Sequence, residues 1–117
     1  MDRSILVVED DAQIRNGLAA LLRIRRHRAI PAANLAEAAL QLDAATPTHL
    51  LLDLNLPDGV GTEILRRVRS QALPVRVAIV TGSDDDALMD EARALGVDAV
   101  FMKPPDWDKL LEWVDQT

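Results

Sequence analysis

The sequence predicts a parallel α/β fold in which five buried strands alternate with five amphipathic helices. Three observations lead to this prediction. Short aliphatic runs such as 5–8 and 50–52 recur along the chain, and each ends in polar residues. Segments with apolar residues at helical spacing separate these runs. Strands that are apolar on both faces are typical of a parallel sheet covered by helices on each side.

Length and composition favour a single soluble domain over residues 1–117, with 49% hydrophobic and 27% charged residues. The absence of cysteine excludes disulfides, thiolate nucleophiles and Cys-ligated metals. The net charge of -6 predicts no direct contact with nucleic acid and no binding to anionic membranes. The first apolar run, 5–8, is too short for a signal peptide or a membrane span, so we expect a cytoplasmic protein.

The first half of the chain contains two predicted strands and two predicted helices. Strand 5–8 ends in three acidic residues, of which Asp11 is expected to cap a helix that begins at Ala12. Pro31 marks a weak strand over 29–32 as an edge strand. The pair Asn34 and Glu37 resembles a capping box for a second helix that runs toward Ala45. The apolar face of the first helix is predicted to comprise Ile14, Leu18, Leu21 and Leu22.

The second half repeats the pattern three times. Strand 50–52 runs into Asp53 and a turn that contains proline and glycine, and a third helix is predicted to continue as far as Pro74. A fourth strand, 75–80, precedes a helix that begins near the acidic triplet 84–86 and ends at Gly96. A fifth strand, 97–102, precedes a last helix that begins near Asp106. The apolar face of that helix is predicted to comprise Trp107, Leu110, Leu111 and Val114, with Trp113 at its flank.

Polar side chains follow four of the predicted strands. Because the carboxyl ends of parallel strands meet at one edge of the sheet, these side chains are expected to lie close together. Three adjacent carboxylates repel one another and require a cation, and a donor set of oxygen atoms alone favours Mg²⁺. Such a site suits phosphoryl transfer, with a carboxylate nucleophile and cationic and hydroxyl groups on the phosphoryl oxygens. The residues concerned are Glu9, Asp10, Asp53, Thr81 and Lys103.

At these positions the chain resembles the receiver domains of two-component response regulators. The acidic pair after the first strand, Asp53 followed by Leu-Asn-Leu-Pro, Thr81 after an apolar strand, and Lys103-Pro104 match that family in order and spacing. The resemblance covers the whole chain and implies a flavodoxin-like, doubly wound sheet with strand order 2-1-3-4-5.

The resemblance also implies roles for individual residues. Asp53 would be the phosphoacceptor, and Thr81 and Lys103 would contact the phosphoryl group. Mg²⁺ would be held by Glu9, Asp10, Asp53 and the backbone carbonyl of Asn55. The Lys103-Pro104 bond would be cis.

The partners implied are a sensor histidine kinase or a histidine phosphotransfer protein in bacterial signal transduction. The face of the last helix would contact an effector domain or a second copy of the chain.

One position departs from the family pattern. Receivers usually carry Tyr or Phe three residues before the lysine, where this chain has Val100, and alternation along a strand places Phe101 on the opposite face. This departure leaves open a degenerate receiver that acts as a scaffold without phosphorylation. A phosphatase of the haloacid dehalogenase type is disfavoured, because that class needs a second Asp two positions after the nucleophile, where Asn55 stands.

Overall fold

The computed structural model describes residues 3–117, which form five strands and five helices in alternation. The strands are β1 (Ser4–Val8), β2 (Arg28–Ala32), β3 (His49–Leu52), β4 (Arg76–Thr81) and β5 (Ala99–Met102). The helices are α1 (Ala12–Ile24), α2 (Leu35–Ala44), α3 (Thr62–Ser70), α4 (Asp86–Leu95) and α5 (Trp107–Gln116). A short antiparallel hairpin pairs Asn55–Leu56 with Gly59–Val60 between β3 and α3.

The five strands form one parallel sheet in the order β2-β1-β3-β4-β5. This order confirms the predicted flavodoxin-like topology, 2-1-3-4-5. The edge position of β2 explains how Pro31 is accommodated, because an edge strand does not need every backbone N–H for pairing. The strand order changes direction beside β1 and β3, and the crevice at their carboxyl ends is where such sheets place ligands.

Alternation along the strands divides the interior into two layers. Leu6 and Val8 of β1 point toward α2, α3 and α4, whereas Ile5 and Val7 point toward α1 and α5. Both faces of the central strands are therefore covered, as their continuous apolar runs require. No helix within residues 3–117 is long and apolar enough to cross a membrane.

Side-chain caps begin four of the helices. Asp11 accepts hydrogen bonds from the N–H groups of residues 13 and 14, which confirms its predicted capping role. Asn34 accepts from the N–H of Glu37, as predicted. The Glu37 carboxylate accepts from the N–H of Ala33, whereas in the usual capping box it would accept from the backbone N–H of Asn34. Asp85 and Asp106 cap α4 and α5 in the same way.

Several predicted boundaries differ from the structure. Helix α3 ends at Ser70 rather than Pro74, because the chain turns away at Ala72, whose φ of 51° is left-handed. Strand β5 begins at Ala99, two residues later than predicted. Leu21 of the predicted apolar face of α1 is exposed, because that helix packs through Leu18 and Leu22, as predicted, together with Ala19.

Candidate functional site

Asp53 lies directly after β3 with only 5% of its surface exposed. Its N–H donates to the carbonyl of Val8 at 3.0 Å, which extends the β1–β3 pairing by one residue. Oδ1 accepts from the hydroxyl of Thr81 at 3.0 Å and from the N–H of Asn55 at 3.2 Å, and Oδ2 accepts from Lys103 Nζ at 2.8 Å. Both carboxylate oxygens are therefore held in fixed positions by neighbouring elements.

Two further carboxylates come from the loop that follows β1. Glu9 is buried, and its N–H donates to the carbonyl of Ala32 at 3.0 Å. Asp10 is exposed at the surface of the same loop. Carboxylate oxygens of Glu9, Asp10 and Asp53 all lie within 4.8 Å of one another. This oxygen-only cluster fits the ligand preference of a hard divalent cation such as Mg²⁺.

Lys103 follows β5 and reaches across the edge of the sheet to the acidic cluster. Its Nζ donates to Glu9 Oε1 at 2.6 Å and to Asp53 Oδ2 at 2.8 Å. Its backbone N–H donates to the carbonyl of Thr81 at 2.9 Å, which fixes the start of the loop, and the Lys103–Pro104 peptide is cis. One ammonium group thus bridges carboxylates that are 44 residues apart in the sequence.

The proximity of the charged groups perturbs their ionisation. Burial, reinforced by hydrogen bonding to Asp53, raises the pKa of Glu9 to about 7. Burial also opposes ionisation of Asp53, but hydrogen bonds with Glu9 and Lys103 outweigh it and lower the pKa of Asp53. For Lys103 the loss of hydration is outweighed by its two carboxylate partners, so its pKa is raised. The cluster thus keeps Asp53 ionised, as a nucleophile requires.

Close packing of Gly61 against the backbone of Asp53 and Leu54 holds the loop that follows Asp53. The Gly61 N–H donates to the carbonyl of Leu54 at 2.8 Å. A Cβ atom at Gly61 would lie 2.2 Å from the carbonyl oxygen of Asp53, so only glycine fits. This contact closes the loop that begins at the buried carboxylate.

Arg15, which was not predicted as a site residue from the sequence, holds the acidic loop in place. Its Nη1 donates to the backbone carbonyls of Glu9 at 2.9 Å and Asp10 at 3.2 Å, and so fixes the acidic loop from the first turns of α1. The signal was present in the sequence, because residue 15 lies one helical turn beyond the Asp11 cap and faces back toward the loop.

Val100 and Phe101 lie on opposite faces of the sheet, as alternation predicts. Val100 packs with the layer formed by α2, α3 and α4. Phe101 packs with the α1 and α5 layer, where its ring is 6.5 Å from the ring of Trp113 in an edge-to-face arrangement. The position three residues before Lys103 therefore carries an aliphatic side chain, on the face opposite to Phe101.

Comparison with known proteins identifies a family. The family model described as the response regulator receiver domain matches residues 5–115. Sporulation initiation phosphotransferase F of Bacillus subtilis is 31% identical over 114 residues, covering 97% of this chain and 92% of that protein. The crystal structure of a response regulator receiver domain protein (CheY-like) from Methanospirillum hungatei superimposes with a TM-score of 0.93 at 27% identity, covering 99% of this chain and 93% of that one.

Other relatives are longer than this chain. The acid tolerance regulatory protein ActR of Rhizobium meliloti is 30% identical over 110 residues, which cover 94% of this chain but 57% of that protein. The chain therefore spans little more than half the length of some of the curated relatives that it matches.

Proposed function

The chain belongs to the receiver family of two-component response regulators, and on that premise we propose that it accepts a phosphoryl group on Asp53 and switches conformation to control an output. The observation that carries the proposal is the environment of the Asp53 carboxylate. It is buried and bonded to both Thr81 and Lys103, with two further carboxylates beside it, and its lowered pKa favours the ionised form.

The proposed chemistry is transfer from a phosphohistidine. A carboxylate oxygen of Asp53 attacks phosphorus, an O–P bond forms, the P–N bond breaks, and the imidazole leaves with the electron pair. Lys103 pairs with the phosphoryl oxygens, and the hydroxyl of Thr81 donates a hydrogen bond to one of them. Both groups already lie within hydrogen-bond distance of the nucleophile, so little rearrangement is needed before the attack.

Glu9, Asp10 and Asp53, with the backbone carbonyl of Asn55, would hold Mg²⁺. The ion would supply positive charge that neutralises the phosphoryl oxygens during transfer. That charge would also favour the ionised form of Glu9, whose pKa is raised chiefly by burial.

The proposed partners follow from this chemistry. The phosphoryl donor is a sensor histidine kinase or a histidine phosphotransfer protein. The output is an effector domain or a second copy of the chain, contacted through the α5 face. The only reactions assigned to the chain are its own phosphorylation and dephosphorylation, which is the behaviour of a signalling domain rather than of a metabolic enzyme.

The proposed switch relies on Thr81. Its hydroxyl now donates to Asp53 and accepts from the N–H of Ser83 at 3.1 Å. A phosphoryl group on Asp53 would offer the hydroxyl a new, more charged acceptor and draw the start of the β4–α4 loop toward the site. Val100 offers no aromatic ring to follow this movement, so the response is carried by the loop.

Intact mass after incubation with acetyl phosphate tests the proposal. The wild-type chain is expected to gain a single phosphoryl group when Mg²⁺ is present and none when it is chelated. Asp53→Asn should gain none, whereas Asp108→Asn, which changes an exposed carboxylate in the first turn of α5, should behave as wild type. If the folded wild-type protein gains no phosphoryl group from acetyl phosphate or from a phosphohistidine donor, the proposal is wrong and a phosphorylation-independent scaffold replaces it.

A further inference from the structure

The loop that follows Asp53 is anchored to the acidic cluster by Asn55 and also to helix α2 by a second contact. Asp58 occupies the tip of the hairpin between β3 and α3. Its Oδ1 accepts from the N–H of Leu35 at 2.8 Å, and its Oδ2 accepts from the N–H of Ala36 at 3.1 Å. A residue of the phosphoacceptor loop thus binds the first turn of α2.

This contact supplies acceptors for backbone N–H groups at the N-terminus of α2. The first N–H groups of a helix have no partner within the helix. Asn34 satisfies the N–H of Glu37, and Asp58 satisfies those of Leu35 and Ala36. Hydrogen bonds from these two backbone groups lower the pKa of Asp58, in keeping with a carboxylate at the positive end of a helix dipole.

The same hairpin is fixed at its base beside the buried carboxylate. Asn55 pairs with Val60 across the hairpin, and its N–H donates to Asp53 Oδ1. Gly61 closes the base against the backbone of Asp53 and Leu54. Asn55 therefore lies between two anchors, one at the acidic cluster and one at α2.

We propose that Asp58 is a positioning residue for the phosphoacceptor site. By binding α2, it holds the hairpin in place so that the backbone of Asn55 stays beside Asp53, where its carbonyl is available to the cation. The side chain of Leu35 lies close to Gly59, where an added Cβ atom would be 2.7 Å from its Cδ1, and the carboxylate of Asp58 supplies two directional, charge-assisted bonds at the tip. This inference rests on the proposed function, because it concerns the same cation site.

The competing explanation is that Asp58 only stabilises α2. Asn34 provides the control, because its side chain caps the same helix terminus and, among residues 3–117, its side-chain hydrogen bonds are with Glu37 rather than with the hairpin. Asn34→Ala therefore weakens α2 without releasing the loop. Asp58→Ala removes the acceptors of two N–H groups at the same terminus and is expected to release the loop as well.

Mg²⁺ affinity, measured by amide chemical-shift titration, is the primary readout, and hydrogen exchange of the 55–60 amides without Mg²⁺ is the second. We expect Asp58→Ala to weaken Mg²⁺ binding at least about threefold. The loss of affinity should be smaller than the roughly tenfold or greater loss that follows removal of an outer-shell partner, because Asp58 acts through the hairpin. Amide exchange in the hairpin should accelerate in the same variant. Asp58→Asn keeps one acceptor oxygen and should restore part of the affinity, and Asn34→Ala should match wild type in both readouts.

The outcomes separate this inference from the proposal on which it rests. If wild type binds no Mg²⁺ and accepts no phosphoryl group, the proposed function itself fails. If wild type binds Mg²⁺ and Asp58→Ala binds it equally well, or if Asn34→Ala weakens it as much as Asp58→Ala does, the positioning role of Asp58 is wrong.

Discussion

Replacing Gly61 with alanine is expected to destabilise the protein through the contact that closes the phosphoacceptor loop. The backbone of Gly61 is helical, with φ of -59°, so alanine is conformationally acceptable there. The new Cβ would instead lie 2.2 Å from the carbonyl oxygen of Asp53, whereas ordinary contact begins near 3.4 Å. The backbone must move by about 1 Å, and such overpacking costs about 1–3 kcal/mol, occasionally more.

Urea unfolding followed by circular dichroism measures this effect. We expect Gly61→Ala to lower the free energy of unfolding by about 2 kcal/mol, seen as a lower midpoint with an unchanged slope. In a domain of this size that corresponds to a fall in Tm of about 8 °C. Because the displaced atom belongs to Asp53, the rate of phosphorylation by acetyl phosphate should fall as well.

Gly17→Ala is the matched control. Gly17 lies in the middle of α1, and a Cβ atom there would have no neighbour within 4 Å. The same substitution should therefore stabilise the protein by up to about 1 kcal/mol through helix propensity. If Gly61→Ala unfolds at the same urea concentration as wild type or at a higher one, the loop is not closed by this contact.

Three further predictions concern stability and switching. Burial, together with the nearby charge of Arg3, lowers the pKa of His49 to about 4. The unfolded chain therefore takes up the proton first as the pH falls, and the free energy of unfolding of wild type should lose roughly 2 kcal/mol between about pH 7 and pH 5 relative to His49→Gln. Equal pH dependence of the two proteins would contradict this expectation. Asp98→Ala removes the 2.7 Å acceptor of the Val77 N–H and should cost about 1–3 kcal/mol in urea unfolding, whereas Asp98→Asn should cost less, and equal losses would be unexpected. Thr81→Val keeps the side-chain shape but removes the hydroxyl, so Asp53 should still be phosphorylated while the chemical-shift changes in the β4–α4 loop shrink; an undiminished response would contradict the switch assigned to Thr81.

The topology could be predicted from the sequence because hydrophobic periodicity and the end of each strand are local signals. Asp53 and Lys103 each follow a recognisable strand, and parallel pairing brings their positions to one edge of the sheet without further information. The opposite orientations of Val100 and Phe101 followed from strand alternation in the same way.

Contacts between distant elements could not be predicted in this way. His27 and His49 are both buried and bonded to α5 or the residue after it, His27 to Asp115 at 2.6 Å and His49 to Thr117 at 2.8 Å. Each pair depends on the docking of α5 against the sheet. The bonds from Asp58 to α2 have the same origin, since no local pattern links residues 23 positions apart.

The exposure of Leu21 could not be predicted from the helical spacing of apolar residues either. Helical spacing indicates that an apolar stripe exists, but the rotation of α1 against its neighbours decides which residues it buries. Helix α1 buries Leu18, Ala19 and Leu22, and Leu21 lies at the surface.

Locating the phosphoryl group tests directly whether Asp53 is the phosphoacceptor. The chain is phosphorylated with acetyl phosphate and Mg²⁺, reduced with borohydride, which converts an aspartyl phosphate into homoserine, and then digested and sequenced by tandem mass spectrometry. We expect homoserine at position 53 and at no other aspartate. Homoserine at Asp10 or at any other position, with Asp53 unmodified, would contradict that prediction.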